Sequence, residues 1–499
     1  MSDTGAERNR RSDLGQGKTR VDAPYMIGFD GNEHRLIRDG SLVYEDNTIT
    51  YVGPRTTAEA ETVIDAANRI VSPGFICMHS HLCDSPFAKS FRDDLGNKQF
   101  WMSGLYEHLG PIAGANTEDT ARAAIRFSLY EVVRSGVTTV VDTTYASPEE
   151  TASLAEAFGL RAYIGPFFRS ASYQVVDGKS VGFDWYSAAD ETAAYERAID
   201  FALQRSEQSS IVRALLAPAQ IDTCRPELLT QAREAATKLG VPLQIHAGQA
   251  VIEFHEMLRR HGRTPVGFLA DIGFLGPDLS IAHCIFIAGH SWLAYPADND
   301  LELLADSGTK VAHCPWVFSR YGVTLESFAR YRKAGVTLSL GTDTSPQSML
   351  LELRAAAALG KFADRDAQAL SARDVFNAAT LGGASALGRE DLGRLAPGAK
   401  ADFVCFRTDT MNMSPVRDPV KNIVYSALPT DVDRVVIDGC EILTGGVAAE
   451  LDEFRLAADL QTAAETLWQR MPDNDWAGRD VDTLSPQAIP SWEGTGHAL

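Results

Sequence analysis

Eight short apolar segments, separated by longer amphipathic segments, dominate the sequence. The amphipathic segments repeat apolar residues at helical spacing, as in ARAAIRFSLYEVVRSG and RPELLTQAREAATKLG, and each of these two ends in glycine. Short apolar runs that alternate with helices are typical of parallel strands buried on both faces. The pattern therefore predicts an α/β protein with a (β/α)₈ TIM barrel. The predicted strands are GFICMHSH, VTTVVDTT, RAYIGPFF, IVRALLA, PLQIHAG, LSIAHCI, KVAHCPW and TLSLGTD.

The segments on either side of the predicted barrel have a different pattern. The region before it contains short β-rich pieces broken by turn residues, and strand pairs return after it in GRLAPGAKADFVCF and DRVVIDGCEIL. We expect these two regions to combine into one small β-sandwich domain. The predicted organisation is a disordered arm (1–23), the first half of the sandwich (24–71), the barrel (72–388), the second half of the sandwich (389–447), and a C-terminal helix and tail (448–499).

Charge and composition exclude several classes of partner. Lys and Arg number 46 against 66 Asp and Glu, a net charge of −20, which argues against nucleic acid and against a polybasic membrane anchor. No apolar run approaches the ~20 residues that cross a bilayer. The seven cysteines are odd in number and scattered, as expected of free thiols in a reducing compartment. We therefore expect a cytoplasmic homo-oligomer that acts on a small molecule.

Potential metal ligands lie at the carboxyl ends of the predicted strands. His79 and His81 are two residues apart at the end of the first strand, so their side chains share one face. His246, His283 and Asp343 end the fifth, sixth and eighth strands, at the edge where barrel enzymes carry their reactive groups. One such histidine is more often a core residue, but five groups at one edge predict a site for a borderline divalent ion such as Zn²⁺ or Fe²⁺.

These residues resemble the mononuclear branch of the amidohydrolase superfamily. That branch includes cytosine, guanine and S-adenosylhomocysteine deaminases, s-triazine hydrolases, and hydrolases of phenylureas and thiocarbamates. The resemblance extends from about Pro24 to Gly446 and includes the phrases IAHC, VAHCP, ATLGGASALG and GRLAPGAKADFV. It supports the predicted barrel and implies a hydrolase that uses metal-activated water.

The resemblance also implies roles for individual residues. His79, His81, His246 and Asp343 would be the metal ligands, and His283 would be either a fifth ligand or the residue that orients the attacking water. Binuclear relatives carry a lysine at the end of the fourth strand, and this chain has none in IVRALLAPA. One divalent ion is therefore implied, with Zn²⁺ the first choice and Fe²⁺ the alternative.

The sequence departs from the deaminase pattern at two positions. Gln249 stands three residues after His246, where deaminases carry a glutamate that moves protons to the ring, and a glutamine cannot exchange protons near neutral pH. Ala219 stands where those enzymes have a substrate-contacting histidine. We therefore expect cleavage of an amide, urea, carbamate or thiocarbamate, or displacement of a substituent on a heteroaromatic ring. His283 and Asp343 would then manage the proton, and Gln249 could bind a substrate carbonyl.

Two other functions stay open at this point. The chain could be a purine, pyrimidine or triazine deaminase in which Gln249 has replaced the glutamate, or a non-catalytic scaffold of the same fold. Aromatic and imidazole side chains in the loops after the strands suit a flat or apolar substrate, although packing between loop and barrel would explain them equally well. The predicted substrate-binding residues are Trp101, Tyr106, Phe168, His313 and Trp316.

Overall fold

The computed structural model describes residues 17–91, 100, 102, 104–208, 211–297, 299–448 and 451–492. Trp101, one of the predicted substrate-binding residues, lies outside this part of the chain. None of the helices in the described ranges combines the length and the apolar character that a membrane span requires.

The strands fall into an N-terminal group, a central group and a C-terminal group. They are β1 (Lys18–Phe29), β2 (His34–Glu45), β3 (Thr48–Pro54), β4 (Thr62–Asp65), β5 (Arg69–Pro73), β6 (Phe75–Ser80), β7 (Val137–Thr144), β8 (Arg161–Phe168), β9 (Ala171–Val176), β10 (Ser180–Trp185), β11 (Val212–Ala214), β12 (Ala217–Pro218), β13 (Leu243–Ala247), β14 (Leu279–His283), β15 (Lys310–His313), β16 (Leu338–Leu340), β17 (Phe403–Arg407), β18 (Val432–Ile437) and β19 (Cys440–Thr444).

Most of the helices connect successive central strands. The α-helices of the described residues are Leu109–Ala115, Glu118–Arg134, Pro148–Phe158, Ala188–Gln208, Pro226–Leu239, Val251–His261, Pro265–Asp271, Asp300–Ser307, Pro315–Ser319, Phe328–Lys333, Met349–Asp364, Ala372–Asn377, Gly383–Ala386, Pro419–Tyr425, Glu453–Arg470 and Val481–Leu484. Single turns of 3₁₀ or π type are Ser85–Ser90, Gly104–His108, Ile221–Thr223, Ser291–Leu293, Ala378–Gly382, Pro429–Asp431 and Met471–Asn474.

The central strands form two parallel sheets. One has the order β11-β8-β7-β6, with β12 also beside β8, and the other has the order β13-β14-β15-β16. Isolated parallel bridges connect the two sheets at both edges, from Ser80 to Asp343 on one side and from Gln220 to His246 on the other. All eight predicted segments are strands, and the α/β class is as predicted.

The N-terminal and C-terminal strands combine in one eight-stranded sheet of order β19-β18-β17-β5-β1-β2-β3, with β4 beside β1. Strand β17 lies antiparallel to β5, so the two distant segments meet in one sheet. Their apolar side chains, including Met26, Leu42 and Phe403, share one core. The predicted start of this unit at residue 24 is wrong, because β1 already begins at Lys18. The polar residues there are accommodated because Arg20 pairs with Asp22 at 3.1 Å.

An ion-pair cluster joins this sheet to the amino end of the central strands. Arg161, the first residue of β8, is 1% exposed. Its guanidinium donates to both carboxylate oxygens of Asp402 at 3.0 and 3.1 Å and to Asp438 at 2.9 Å. A buried arginine needs such partners, since an unpaired buried charge is costly.

The C-terminal helix Glu453–Arg470 packs against the elements that follow β6. Leu460, Ala464 and Leu467 share a buried cluster with Phe87 and Ile112. Farther along, Arg479 donates to Glu107 at 3.0 Å. The segment after residue 451 therefore supports the first connection between central strands.

Candidate metal centre and substrate pocket

The predicted metal ligands converge at the carboxyl ends of the central strands. The ring centroid of His79 lies 4.8 Å from that of His81, 4.7 Å from that of His246 and 5.0 Å from that of His283. An oxygen of Asp343 lies 3.6 Å from Nε2 of His79 and 3.3 Å from Nε2 of His81. Potential ligand atoms lie within 4.8 Å of one another in each of two overlapping groups, His79 with His246 and His283, and His79 with His81 and Asp343. Four different strand ends thus supply one cluster.

Hydrogen bonds orient three of these imidazoles toward the centre. Nδ1 of His79 donates to the side-chain oxygen of Gln244 at 2.8 Å, and Nδ1 of His81 and of His246 donate to main-chain oxygens at 2.7 and 2.6 Å. Because Nδ1 carries a proton in each ring, Nε2 is the atom that faces the centre and can offer a lone pair to a metal, which in His81 requires release of the proton now directed at Asp343. The buried Nε2 of His79 has no hydrogen-bond partner. The donor set therefore fits one divalent cation.

The charges within the cluster favour a bound cation. Burial and the charge of His81 lower the pKa of His79 to about 3, and burial lowers the pKa of His283 to about 4. Burial opposes the charged form of His81, but its hydrogen bond to Asp343 outweighs this and raises its pKa to about 9. Burial disfavours ionised Asp343, yet the bond from His81 and the nearby imidazoles hold its pKa well below the usual range. Neutral His79 and His283 beside ionised Asp343 are in the protonation states that metal binding requires, whereas His81 would have to lose its second proton when a cation binds.

The backbone is strained where two of these side chains leave their strands. His283 has φ +78° and Asp343 has φ +57°, in the left-handed region that residues other than glycine rarely adopt. The backbone N–H groups of Thr342 and Asp343 both donate to the carbonyl oxygen of His79, at 3.0 and 2.9 Å. These bonds fix the backbone at Asp343 against β6. Strain of this kind is concentrated at functional sites.

A pocket opens beside the cluster and continues along the first connection after β6. Its lining combines polar residues, which include part of the metal centre, with apolar ones. The polar lining residues include His81, Asp84, Gln220, His246, Gln249, Arg320 and Asp343, and the apolar ones include Ala88, Phe91, Met102, Leu105, Leu109, Ile112, Val317 and Phe318. The pocket therefore suits a small molecule with an apolar body and a polar reacting group.

Gln249 lies in this pocket, held by a buried glutamate. Its backbone N–H donates to Glu253 at 3.0 Å, and Glu253 also accepts from the N–H of Gly248 at 2.5 Å and from the side chain of Gln220 at 3.2 Å. Burial and the charge of Asp222 raise the pKa of Glu253 to about 8. The side-chain oxygen of Gln249 is buried and has no partner. Gln249 thus presents an unused polar group beside His246.

The four described residues that were predicted to bind substrate are not among the residues that line this pocket. Phe168 packs outward against Tyr195 at 5.4 Å, whereas the preceding residue, Phe167, lies 5.8 Å from His81 and 5.6 Å from His246. Adjacent strand residues point to opposite faces, so Phe167, and not the predicted Phe168, faces these imidazoles.

The remaining described members of that set also lie outside the pocket lining. Tyr106 packs against Tyr173 at 4.9 Å. His313 is buried against Phe328 at 6.2 Å. Trp316 is half-buried and donates its backbone N–H to Glu352.

Sequence reasoning also missed several residues near the centre. Gln244 could have been found, because it lies two residues before His246 on the same face of β13. Glu253 lies one helical turn beyond Gln249, but its inward orientation depends on how the helix Val251–His261 packs. Asp84 and Arg320 lie in loops, where no periodic pattern marks them.

The sequence matches the profile of the Amidohydrolase family over residues 70–442. The chain belongs to this family. It is 31% identical over 457 residues to a 5'-deoxyadenosine deaminase of Methanosarcina barkeri, covering 90% of this chain and 98% of that protein. It is 30% identical over 439 residues to a 5-methylthioadenosine/S-adenosylhomocysteine deaminase of Halobacterium salinarum, covering 87% of this chain and 95% of that protein.

Solved structures show the same fold. An adenosine deaminase from Xanthomonas campestris with bound zinc superposes with a TM-score of 0.78 at 22% identity, covering 90% of this chain and 98% of that one. A triazine hydrolase from Arthrobacter aurescens gives 0.77 at 24% identity, covering 90% and 100%. Family membership and the convergent donor set identify this amidohydrolase as a metal-dependent hydrolase of carbon–nitrogen bonds.

Proposed function

We propose that this amidohydrolase holds one Zn²⁺ ion and hydrolyses an amide, urea, carbamate or thiocarbamate, or displaces a substituent from a heteroaromatic ring. The convergence of four imidazoles and Asp343 on one point carries the proposal. The bridges at both edges of the parallel sheets support a closed (β/α)₈ barrel around that point, and the shared core of the other sheet supports a small β-sandwich. Its action in the cytoplasm and its homo-oligomeric state stay predictions.

His79, His81, His246 and Asp343 would hold the ion, and His283 would ligate it or orient the attacking water. A bound divalent ion supplies a water of lowered pKa and polarises the scissile group. Asp343 offers a carboxylate oxygen that can accept the proton of the attacking water. The amide N–H of Gln249 can donate to a substrate carbonyl beside His246, which orients the scissile bond. Apolar residues such as Phe318 and Leu105 exclude bulk water from the body of the substrate.

The leaving group follows from the chemistry of Gln249. An amide side chain neither donates nor recovers a proton near neutral pH, so a ring nitrogen would receive no proton from this position. Amides, ureas and carbamates need no ring protonation at all. Asp343 and His283 would act together to supply the proton that the departing amine requires.

Deamination of an adenosine-like compound is the second candidate. The names of the relatives at 30 and 31% identity favour it, because both act on adenosine derivatives. A proton source other than Gln249 would then be required. Asp84 lines the same pocket, and burial raises its pKa, which favours the protonated carboxyl group. Asp84 is therefore a candidate for this proton source.

A product screen of the zinc-loaded enzyme tests the proposal. The substrates are aryl- and alkyl-ureas, carbamates, amides, chlorinated and aminated heterocycles, and 5'-substituted adenosines. Release of an aryl- or alkylamine from the first three classes is expected. Ammonia release confined to adenosines would establish the second candidate instead. A protein without near-stoichiometric divalent metal, and with no activity in the screen, would contradict both and support a scaffold.

A further inference from the structure

Arg320, in the substrate pocket, has no carboxylate partner among the residues that the structure describes. Arg320 follows the helix Pro315–Ser319, on the loop after β15, and lines the same pocket as Gln249 and Asp343. Among the lining residues that the structure describes, it is the one lysine or arginine. The chain carries a net charge of −20, so a cation at this position is a local exception to the charge of the molecule.

Most of the donors of Arg320 are unused. Nε and Nη1 are buried and have no hydrogen-bond partner, and Nη2 makes one long bond of 3.4 Å to the hydroxyl of Thr344. A guanidinium has five N–H donors, and each buried donor without an acceptor costs about 1–3 kcal/mol. Burial lowers the pKa of Arg320, which reflects this lack of compensation. An acceptor that arrives with the substrate would remove the cost.

The nearby carboxyl groups do not fill this role. Neither Asp343 nor Glu352 forms an ion pair with Arg320 within 4.0 Å, and Asp343 is bonded to His81. Burial raises the pKa of Glu352, and one of its oxygens already accepts from the N–H of Trp316 at 3.0 Å. Arg161 is a contrast, because its Nε and Nη2 donate to two aspartates, as expected of a buried arginine with a structural role.

We propose that Arg320 binds a carboxylate, or a planar anion of similar shape, carried by the substrate. The planar guanidinium matches a carboxylate through two parallel hydrogen bonds, which Nε and Nη2 form together, as they do in Arg161 with Asp402. In Arg320, Nε has no partner and Nη2 makes only the long bond to Thr344, so this donor pair can accept a carboxylate. Val317 and Phe318 line the pocket beside it, so the anion would be attached to an apolar body. This inference rests on the proposed function and narrows its substrates to anionic amides, ureas or related compounds.

Ligand binding tests the subsite without turnover. Zinc-loaded enzyme is titrated calorimetrically with phenylacetate, 3-phenylpropionate and 4-phenylbutyrate, and with the matching primary amides. We expect the wild type to bind at least one carboxylate tenfold or more tightly than its amide. Arg320→Met should abolish this preference, and Arg320→Lys, which keeps the charge but not the fork, should retain part of it. Lys333→Met removes a positive charge from an exposed position and should leave the preference unchanged.

Three outcomes would overturn the proposal. The first is a wild type that binds carboxylates no more tightly than the matching amides. The second is an R320M variant whose preference for carboxylates stays within twofold of the wild type, which would mean that the carboxylate binds the metal alone. The third is an equal loss of preference in K333M, which would mean that the effect is long-range electrostatics. Metal content and thermal unfolding verify that each variant is folded. If R320M does not fold, the comparison is made with R320K. Because binding is measured without turnover, failure of the proposed reaction in the product screen is separable from failure of this subsite.

Discussion

The two ends of the central strands use charged side chains in opposite ways. At the amino end, Arg161 is paired with Asp402 and Asp438 through Nε and Nη2. At the carboxyl end, buried polar atoms of His79, His283 and Gln249 have no partner.

This difference separates stability from function within one fold. A buried group whose partners are all present contributes to holding the structure, whereas a buried group without a partner costs free energy until a ligand arrives. The two strained strand ends also lie at the carboxyl side, at His283 and Asp343. In barrel enzymes the carboxyl end carries the chemistry and the amino end carries stability. We therefore expect substitutions at the two ends to affect different measurements.

Loss of one imidazole at the carboxyl end should have the largest effect. We expect His246→Ala to lower metal content below stoichiometric and to reduce kcat/KM by about 10⁴-fold, about 5.5 kcal/mol of barrier at 1.36 kcal/mol per factor of ten. His255→Ala, on the exposed face of the following helix, is the control and should keep both values. Full metal content in H246A would remove His246 from the ligand set.

Loss of the arginine at the amino end should affect stability instead. Arg161→Met leaves Asp402 buried without its partner, and we expect the free energy of unfolding to fall by about 3–5 kcal/mol in a denaturant titration. The exposed pair of Arg407 and Asp409, 3.2 Å apart, is the control, and Arg407→Met should cost at most about 1 kcal/mol. If R161M instead lowered metal content while retaining stability, the two ends would not be separable.

Removal of the metal should connect the two measurements. A ligand present at 100 times its Kd stabilises the folded state by about 2.7 kcal/mol, so chelation should lower the midpoint of thermal unfolding of the wild type. H246A, which lacks a ligand, should respond little to the same chelator. An equal response in both proteins would place the stabilising ion elsewhere.

Substitution of Gln249 should have the smallest effect. We expect Gln249→Glu to leave metal content unchanged, to change kcat/KM by about tenfold, or about 1.4 kcal/mol, and to add a pH-dependent limb, because the new carboxyl group titrates whereas the amide does not. Gln231→Glu introduces the same charge at an exposed position and is the control. Loss of metal in Q249E would mean that position 249 belongs to the metal centre.

The sequence predicted what depends on local pattern. The eight strands were predictable because each is a short apolar run with helical neighbours, and the convergence of His79, His246 and Asp343 followed because parallel strands end at one edge. The family resemblance then gave the reaction type.

Features that depend on packing were not predictable. The choice between Phe167 and Phe168 depends on which face of β8 is inward, and two adjacent aromatic residues carry no periodic signal. Arg320 lies in a loop, and a lone arginine in sequence does not show whether it has a partner. The hairpin of β9 and β10 lacks a predicted counterpart, because its residues alternate only weakly between polar and apolar.

The packing of the C-terminal helix has a practical consequence for changing the substrate range of this enzyme. Leu460 and Leu467 press on the segment that carries Leu105 and Ile112, so the shape of the apolar wall is set partly by residues remote in sequence from any catalytic group. Directed evolution confined to the strand-end loops would not vary these residues of the C-terminal helix. Libraries that vary the inward positions of residues 453–470 can reshape the compartment while every metal ligand stays in place.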